Sequence, residues 1–176
     1  MKRDPEYDCN TSLKDLTRMN HETNSEFRTF RGYQLISQKE GQLTPAMEDY
    51  LEMIFRLCCK DGYTRVGRLS DLLHVKPSSA SKMMMKLAEM GYLKYDRYEI
   101  ILLTEKGRSA GEYLLDRHNT VERFLLLAGS SDSLEETELI EHSLSEKTVS
   151  CLRILLDFFE ADAQSRKRFA EFKSKR

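Results

Sequence analysis

Long apolar runs are what this sequence most plainly lacks. No stretch approaches the roughly 18 consecutive apolar residues of a membrane-spanning helix, so no transmembrane helix and no membrane partner are expected. The start, Met1-Lys2-Arg3-Asp4-Pro5, runs on into polar residues without an apolar signal segment. A cytoplasmic location is expected by default. Cysteine is present but not in any framework: Cys58 and Cys59 are adjacent, Cys9 sits in a polar tail, and Cys151 falls in an apolar helical pattern. No pair has the CxxC spacing of a thiolate zinc site. The thiols therefore read as reduced, with Cys151 expected in the core. There is no internal repeat. No nucleophile–base pair points to catalysis, so the chain is not expected to be an enzyme or to take a small organic substrate.

What is there is charge, and it is divided. The chain has 176 residues and a formal net charge of -1, but residues 60–108 hold ten Lys/Arg against six Asp/Glu. Residues 109–165 hold four against twelve. A basic module followed by an acidic one suits a nucleic-acid binder joined to a part that attracts cations.

Three regions follow. Residues 1–42 form a polar extension, expected to be largely disordered. Within it, Phe27, Phe30, Tyr33, Leu35 and Ile36 suggest a short apolar face that Gly32 interrupts. Residues 43–108 read as the basic module and 109–176 as a helical one. Thr44-Pro45 is a good helix start, and Met47, Tyr50, Leu51, Ile54, Phe55 and Cys58 keep helical spacing to about Lys60. A second helix is predicted over Val66–His74 and a third over Ser78–Met90, with Gly91 ending it. Short strands are predicted at Tyr92–Tyr95 and Ile100–Leu103. Thr104 caps a long helix to about Leu127. Ser133 and Glu136 read as a capping box opening a helix to Ser143. Ser145 caps the next helix, which carries Val149, Leu152, Leu155, Leu156 and Phe159, and a last helix covers about Ala163–Lys175. The fold class is therefore mostly α: a winged helix-turn-helix domain followed by an all-helical domain, which the residues and the resemblance given below mark as the expected dimerisation and metal-binding domain.

Helix, helix, turn, helix and hairpin is the order of a winged helix-turn-helix, whose third helix enters the major groove of duplex DNA. That helix offers Ser78, Ser79, Ser81, Lys82 and Lys86. Short hydroxyls near a helix N-terminus reach phosphates and base edges, and the lysines neutralise phosphates. Lys76 and Arg97 flank this face, Arg97 on the wing tip. Met83, Met84 and Met85 suggest a soft-metal site, but at helical spacing they read as core and edge packing.

Asp49 and Glu52 share one side of the first helix. Glu138, Glu141 and His142, at i, i+3 and i+4, place three candidate ligands on one helix face, and His118 lies near the end of the long helix. Oxygen and imidazole donors suit a hard to borderline divalent ion such as Mn²⁺.

The stretch Thr44-Pro45-Ala46-Met47-Glu48-Asp49-Tyr50-Leu51-Glu52-Met53-Ile54 resembles the opening of DtxR-family metal-dependent repressors, in particular their manganese transport regulator branch. So do Val75-Lys76-Pro77-Ser78-Ser79-Ala80-Ser81-Lys82-Met83, Leu103-Thr104-Glu105-Lys106-Gly107, Arg117-His118 and Ile140-Glu141-His142-Ser143-Leu144-Ser145. The resemblance covers roughly residues 43–170. It implies a homodimer on operator DNA, repressing metal uptake, with metal ligands at Asp49, Glu52, His118, Glu138, Glu141 and His142. One or two Mn²⁺ per subunit are implied, with Fe²⁺, Co²⁺, Zn²⁺ or Cd²⁺ able to occupy the same site. The iron branch has Met and Cys at the positions of Asp49 and Glu138, so the resemblance is to the manganese branch. An SH3-like domain like that of the iron branch is not expected, and the N-terminal extension lies outside the resemblance. Two other readings remain at this point: a metal-independent winged-helix regulator that uses its helical part only to dimerise, and a hydrolase with a carboxylate/His metal centre.

Overall fold

The computed structural model describes residues 42–96 and 100–175. The N-terminal helical face expected at residues 27–36, Cys9, and Arg97 at the wing tip lie outside the described residues.

Thr44 caps the first helix, α1 (Pro45–Asp61), its hydroxyl accepting from Met47 N, and Gly62 closes it in the left-handed conformation at φ 79°. A two-residue strand β1 (Thr64–Arg65) leads into α2 (Val66–Leu72) and then α3 (Pro77–Glu89). Strands β2 (Leu93–Tyr95) and β3 (Ile100–Leu103) form the hairpin, and β1 pairs antiparallel on the far side of β3, giving the order β1-β3-β2. β1 carries no signal in the sequence, because two residues show no periodicity. The helix expected to reach His74 is shorter: α2 stops at Leu72, and His74 turns the chain at φ 52°.

Leu51 and Ile54 of α1, Leu69 of α2, Met84 and Leu87 of α3 and Ile101 of β3 are fully enclosed and form one core. Each such side chain contributes about 1.5–3 kcal/mol by leaving water. Met84 is thus core and Met85 exposed, as helical spacing implied.

The long helix α4 (Glu105–Ala128) follows β3 directly, with Thr104 as its N-cap. Thr104 Oγ1 accepts from Gly107 N at 3.0 Å and donates to Gly91 O at 2.7 Å, so one hydroxyl joins the helix start to the hairpin. α4 then crosses α1 so closely that a Cβ on Gly111 would lie 2.5 Å from Cβ of Phe55. The boundary expected at residue 108 therefore falls inside a continuous helix, within a compact unit of Leu43–Arg176.

Past Gly129 come α5 (Ser133–Ile140), a 3-10 turn (Glu141–Ser143), α6 (Glu146–Ala161) and α7 (Ala163–Ser174). Ser145 caps α6 as expected. The capping box does not form: Asp132 is the N-cap, Ser133 is the first helical residue, and no side chain caps that end. Val149 and Leu156 of α6 are buried, as is Val121 of α4, and Arg153 pairs with Asp116 and Arg123 with Glu160 between the two helices. Cys151, expected in the core, is exposed. It projects from the side of α6 that α4 does not cover, where Ile154, Leu155 and Phe158 are exposed as well.

Candidate metal centre

α1 packs against α4, and the turn after α5 packs against α4 as well. Three segments distant in sequence therefore meet beside the Phe55–Gly111 crossing. Glu52 of α1, His118 of α4 and Glu141 of the 3-10 turn are all buried, and each offers a donor atom within 4.8 Å of those of the other two. His118 Nδ1 lies 3.4 Å from Glu141 Oε1 and 3.6 Å from Glu138 Oε1. Asp49, one turn before Glu52, places Oδ1 2.9 Å from Nε2 of His142. All six residues singled out in the sequence thus come together, in two linked groups.

Two details differ from expectation. His118 sits in the middle of the 24-residue α4 rather than near its end. Glu138, Glu141 and His142 do not share one α-helical face, because α5 gives way to the 3-10 turn after Ile140. The tighter winding sends Glu141 towards His118 and His142 towards Asp49, while Glu138 stays at the rim with its side chain 56% exposed.

The structure adds three charged residues. Arg56 donates through Nε and Nη2 to Glu52 Oε1, at 2.9 and 2.6 Å. Arg117 is almost fully enclosed, with Nη1 2.9 Å from Glu48 Oε2 and Nε 3.5 Å from Glu141 Oε2. Glu48 Oε2 also lies 2.8 Å from His142 Nδ1. A cavity of about 210 Å³ opens beside the cluster, with Asp49, Glu52, Arg56, His118 and Glu138 on its polar side. Its apolar wall includes Met53, a thioether that the sequence reading passed over. Met53 also packs against the core.

The electrostatics follow from crowding. A hydrogen bond to Glu141 raises the His118 pKa above its ordinary value, against the opposing effect of burial. Hydrogen bonds to Asp49 and Glu48 raise that of His142 to about 9. Partial burial, and then the charge of Glu141, push the Glu138 carboxyl upward. The metal-free cluster therefore holds His142 as an imidazolium at neutral pH.

The donor set fits a divalent cation. Carboxylates and imidazoles converge without a thiolate, which is the chemistry of hard to borderline ions. Glu141 Oε2 is buried and accepts no hydrogen bond, with Arg117 Nε 3.5 Å away as its cationic neighbour, so the carboxylate keeps an acceptor oxygen that a bound cation could use.

A pH dependence follows. Metal ligation needs neutral imidazole, so cation uptake at pH 7 must release the His142 proton, and affinity is expected to rise with pH until about 9. The metal-free protein should behave oppositely. Because the folded-state pKa is raised, the stabilising effect of His142 is complete below its ordinary value of 6.5 and is lost as pH climbs through about 9. His118 acts in the same direction. Thermal melts with chelator and Mn²⁺ titrations at pH 6.5, 7.5 and 9 check both halves; parallel trends would refute the assignment.

On the DNA side, Lys76, Ser78, Ser79, Lys82 and Lys86 are exposed and Ser81 is half-buried. All but Lys76 lie on α3, and Lys76 is its N-cap residue.

Comparison with known proteins places this geometry. Residues 42–100 match the family model of the iron dependent repressor N-terminal DNA-binding domain. Residues 104–170 match that of the iron dependent repressor metal-binding and dimerisation domain. The chain belongs to the DtxR family of metal-dependent repressors. These are transcriptional regulators rather than enzymes, and the family models bring with them binding of DNA, metal and a second subunit. An HTH-type transcriptional regulator MntR from Oceanobacillus iheyensis is 40% identical over 121 residues, covering 68% of this chain and 82% of that protein. Among solved structures, the manganese regulator SloR superposes with a TM-score of 0.57 at 30% identity, covering 66% of this chain and 55% of that one. A manganese-dependent transcriptional repressor solved with manganese gives 0.55 at 27% identity, covering 64% and 53%. This chain thus spans about half the length of these two solved relatives. Among its described residues, no helix is long and apolar enough to cross a membrane.

Proposed function

We propose that this DtxR-family regulator is a manganese-responsive repressor of metal uptake that binds operator DNA as a homodimer. The observation that carries the reading is the convergence of Glu52, on the helix under the DNA-binding core, with His118 and Glu141. Asp49, Glu52, His118, Glu138, Glu141 and His142 would hold the cation. When bound, a divalent ion supplies positive charge that offsets the repulsion among these carboxylates.

The chain's own residues do the rest. Asp49 and Glu52 belong to the 43–108 part, which carries α3, whereas the other four belong to the 109–176 part. Holding both sets in one geometry selects one orientation of α3 relative to the dimerising helices, which is linkage by population shift. Ile154, Leu155 and Phe158 form an exposed apolar stripe on α6, and this stripe suits a second subunit. The hard donors favour Mn²⁺, with Fe²⁺, Co²⁺, Zn²⁺ and Cd²⁺ able to enter.

The test is DNA binding with excess Mn²⁺ and with chelator. A coupling of about 1–3 kcal/mol corresponds to roughly 5–150-fold tighter binding with metal; equal affinities would remove the sensor reading. In the DNA-binding part, K82A and K86A together are expected to lower operator affinity and to reduce the salt slope by about two, one per lost phosphate contact. Metal affinity should stay unchanged. A slope that does not move would show that this face of α3 is merely solvated.

A further inference from the structure

Glu48 precedes the candidate ligand Asp49, yet it engages a different set of atoms. Its Oε2 lies 2.8 Å from His142 Nδ1 and 2.9 Å from Arg117 Nη1. On the other side of the ring, His142 Nε2 faces Asp49 Oδ1. A neutral imidazole has one N–H and one free lone pair, and the partner of one nitrogen decides which nitrogen is left to bind. A carboxylate only accepts, so both ring nitrogens donate while each faces one; Asp49 is itself a candidate ligand and Glu48 is not, so a cation drawn to Asp49 displaces the Nε2 proton and leaves Nδ1–H on Glu48.

We propose that Glu48, seated by the buried Arg117, is the positioning residue that holds His142 in its Nδ1–H form and so presents Nε2 to the cation. This rests on the reading of His142 as a metal ligand. Arg117 is suited to the task because it is 4% exposed and its guanidinium is held from two sides, by Glu48 and Glu141. It also defines the competing arrangement. Arg117 Nη2 lies 3.1 Å from His142 Nδ1, and it would donate there if Nδ1 were bare. The ring proton would then sit on Nε2, pointing at Asp49 and closing that nitrogen to a cation. Glu48 decides between the two forms: with its carboxylate present Nδ1–H is satisfied, and without it the arginine captures Nδ1. Carboxylates that orient a ligating histidine in this way typically account for about 10–100-fold in metal affinity.

The experiment combines Mn²⁺ dissociation constants with ¹⁵N NMR of His142, using Zn²⁺ as a diamagnetic probe. In Zn²⁺-loaded wild type, Nδ1 should carry the proton and Nε2 the metal. E48A should weaken Mn²⁺ binding by about 10–100-fold, and E48Q, which still offers a carbonyl to Nδ1–H, by less. Metal on Nδ1 in wild type, or wild-type affinity in E48A, overturns the proposal. If E48A does not fold, E48Q decides, since a neutral acceptor should still weaken binding several-fold and unchanged affinity overturns the idea. H142A separates the two layers. If H142A binds Mn²⁺ as wild type does, His142 is not a ligand and the reading beneath the proposal fails. If H142A weakens binding but the Glu48 variants do not, only the positioning role fails.

Discussion

Glu141→Gln is expected to weaken Mn²⁺ binding by at least about 100-fold, since even residues that merely orient ligands account for about 10–100-fold. Glu141 is 1% exposed, and its Oε1 faces His118 while its Oε2 is buried without a hydrogen bond; it also offers a donor atom within 4.8 Å of one from Glu52. The amide keeps the volume but removes the charge and turns one oxygen into a donor. Metal-dependent DNA binding should disappear with it. Glu141→Ala should additionally destabilise the fold, by less than the roughly 3–5 kcal/mol of a fully orphaned buried charge, because it takes one partner from the buried Arg117 while Glu48 remains. Electron paramagnetic resonance of free Mn²⁺ and denaturant melts measure the two effects separately. A Gln variant that binds Mn²⁺ within threefold of wild type would remove Glu141 from the centre.

Gly111→Ala is expected to damage the metal centre although residue 111 contacts no cation. Its new Cβ would stand 2.5 Å from Cβ of Phe55 and 2.8 Å from Cγ, at the base of a side chain rather than its flexible end. Relief requires α1 and α4 to separate. The overpacking alone costs about 1–3 kcal/mol. The same separation moves Asp49 and Glu52 away from His118, and a ligand set must be held within about 0.5 Å to bind well. Mn²⁺ affinity of the folded protein should therefore fall by at least about tenfold, the scale on which supporting residues act. Gly67→Ala is the control, since nothing lies within 4 Å of a Cβ there; it should be neutral or slightly stabilising. Intact Mn²⁺ affinity in folded Gly111→Ala would show that the crossing does not set the site.

The helices and the residues of the candidate site were largely legible along the chain. Thr44, Thr104 and Ser145 announce their helices because caps are local chemistry, a hydroxyl three residues from the amide it accepts from. The capping box at Ser133 failed for the converse reason. Asp132 took the cap position, and Ser133 was drawn into the first turn, where it is buried. Cys151 was misplaced because an apolar pattern shows that a face is covered but not by what, and no described residue of this chain covers its side of α6.

Sequence alone determined the donor types that the candidate site offers. Hard oxygen and imidazole donors at i, i+3 and i+4 spacings, set behind a winged helix, already point to a divalent cation and to DNA. Tertiary structure decided which other charges govern them. Glu48 looks like any acid in a first helical turn, where the helix dipole favours one, and Arg117 looks like a surface cation. The contact from Glu48 to His142 spans 94 positions in the chain, and Arg117 is buried only because α1, α4 and the 3-10 turn converge on it. Local spacing cannot encode that convergence. It depends on how closely α4 crosses α1, which is set by the missing side chain of Gly111 against Phe55.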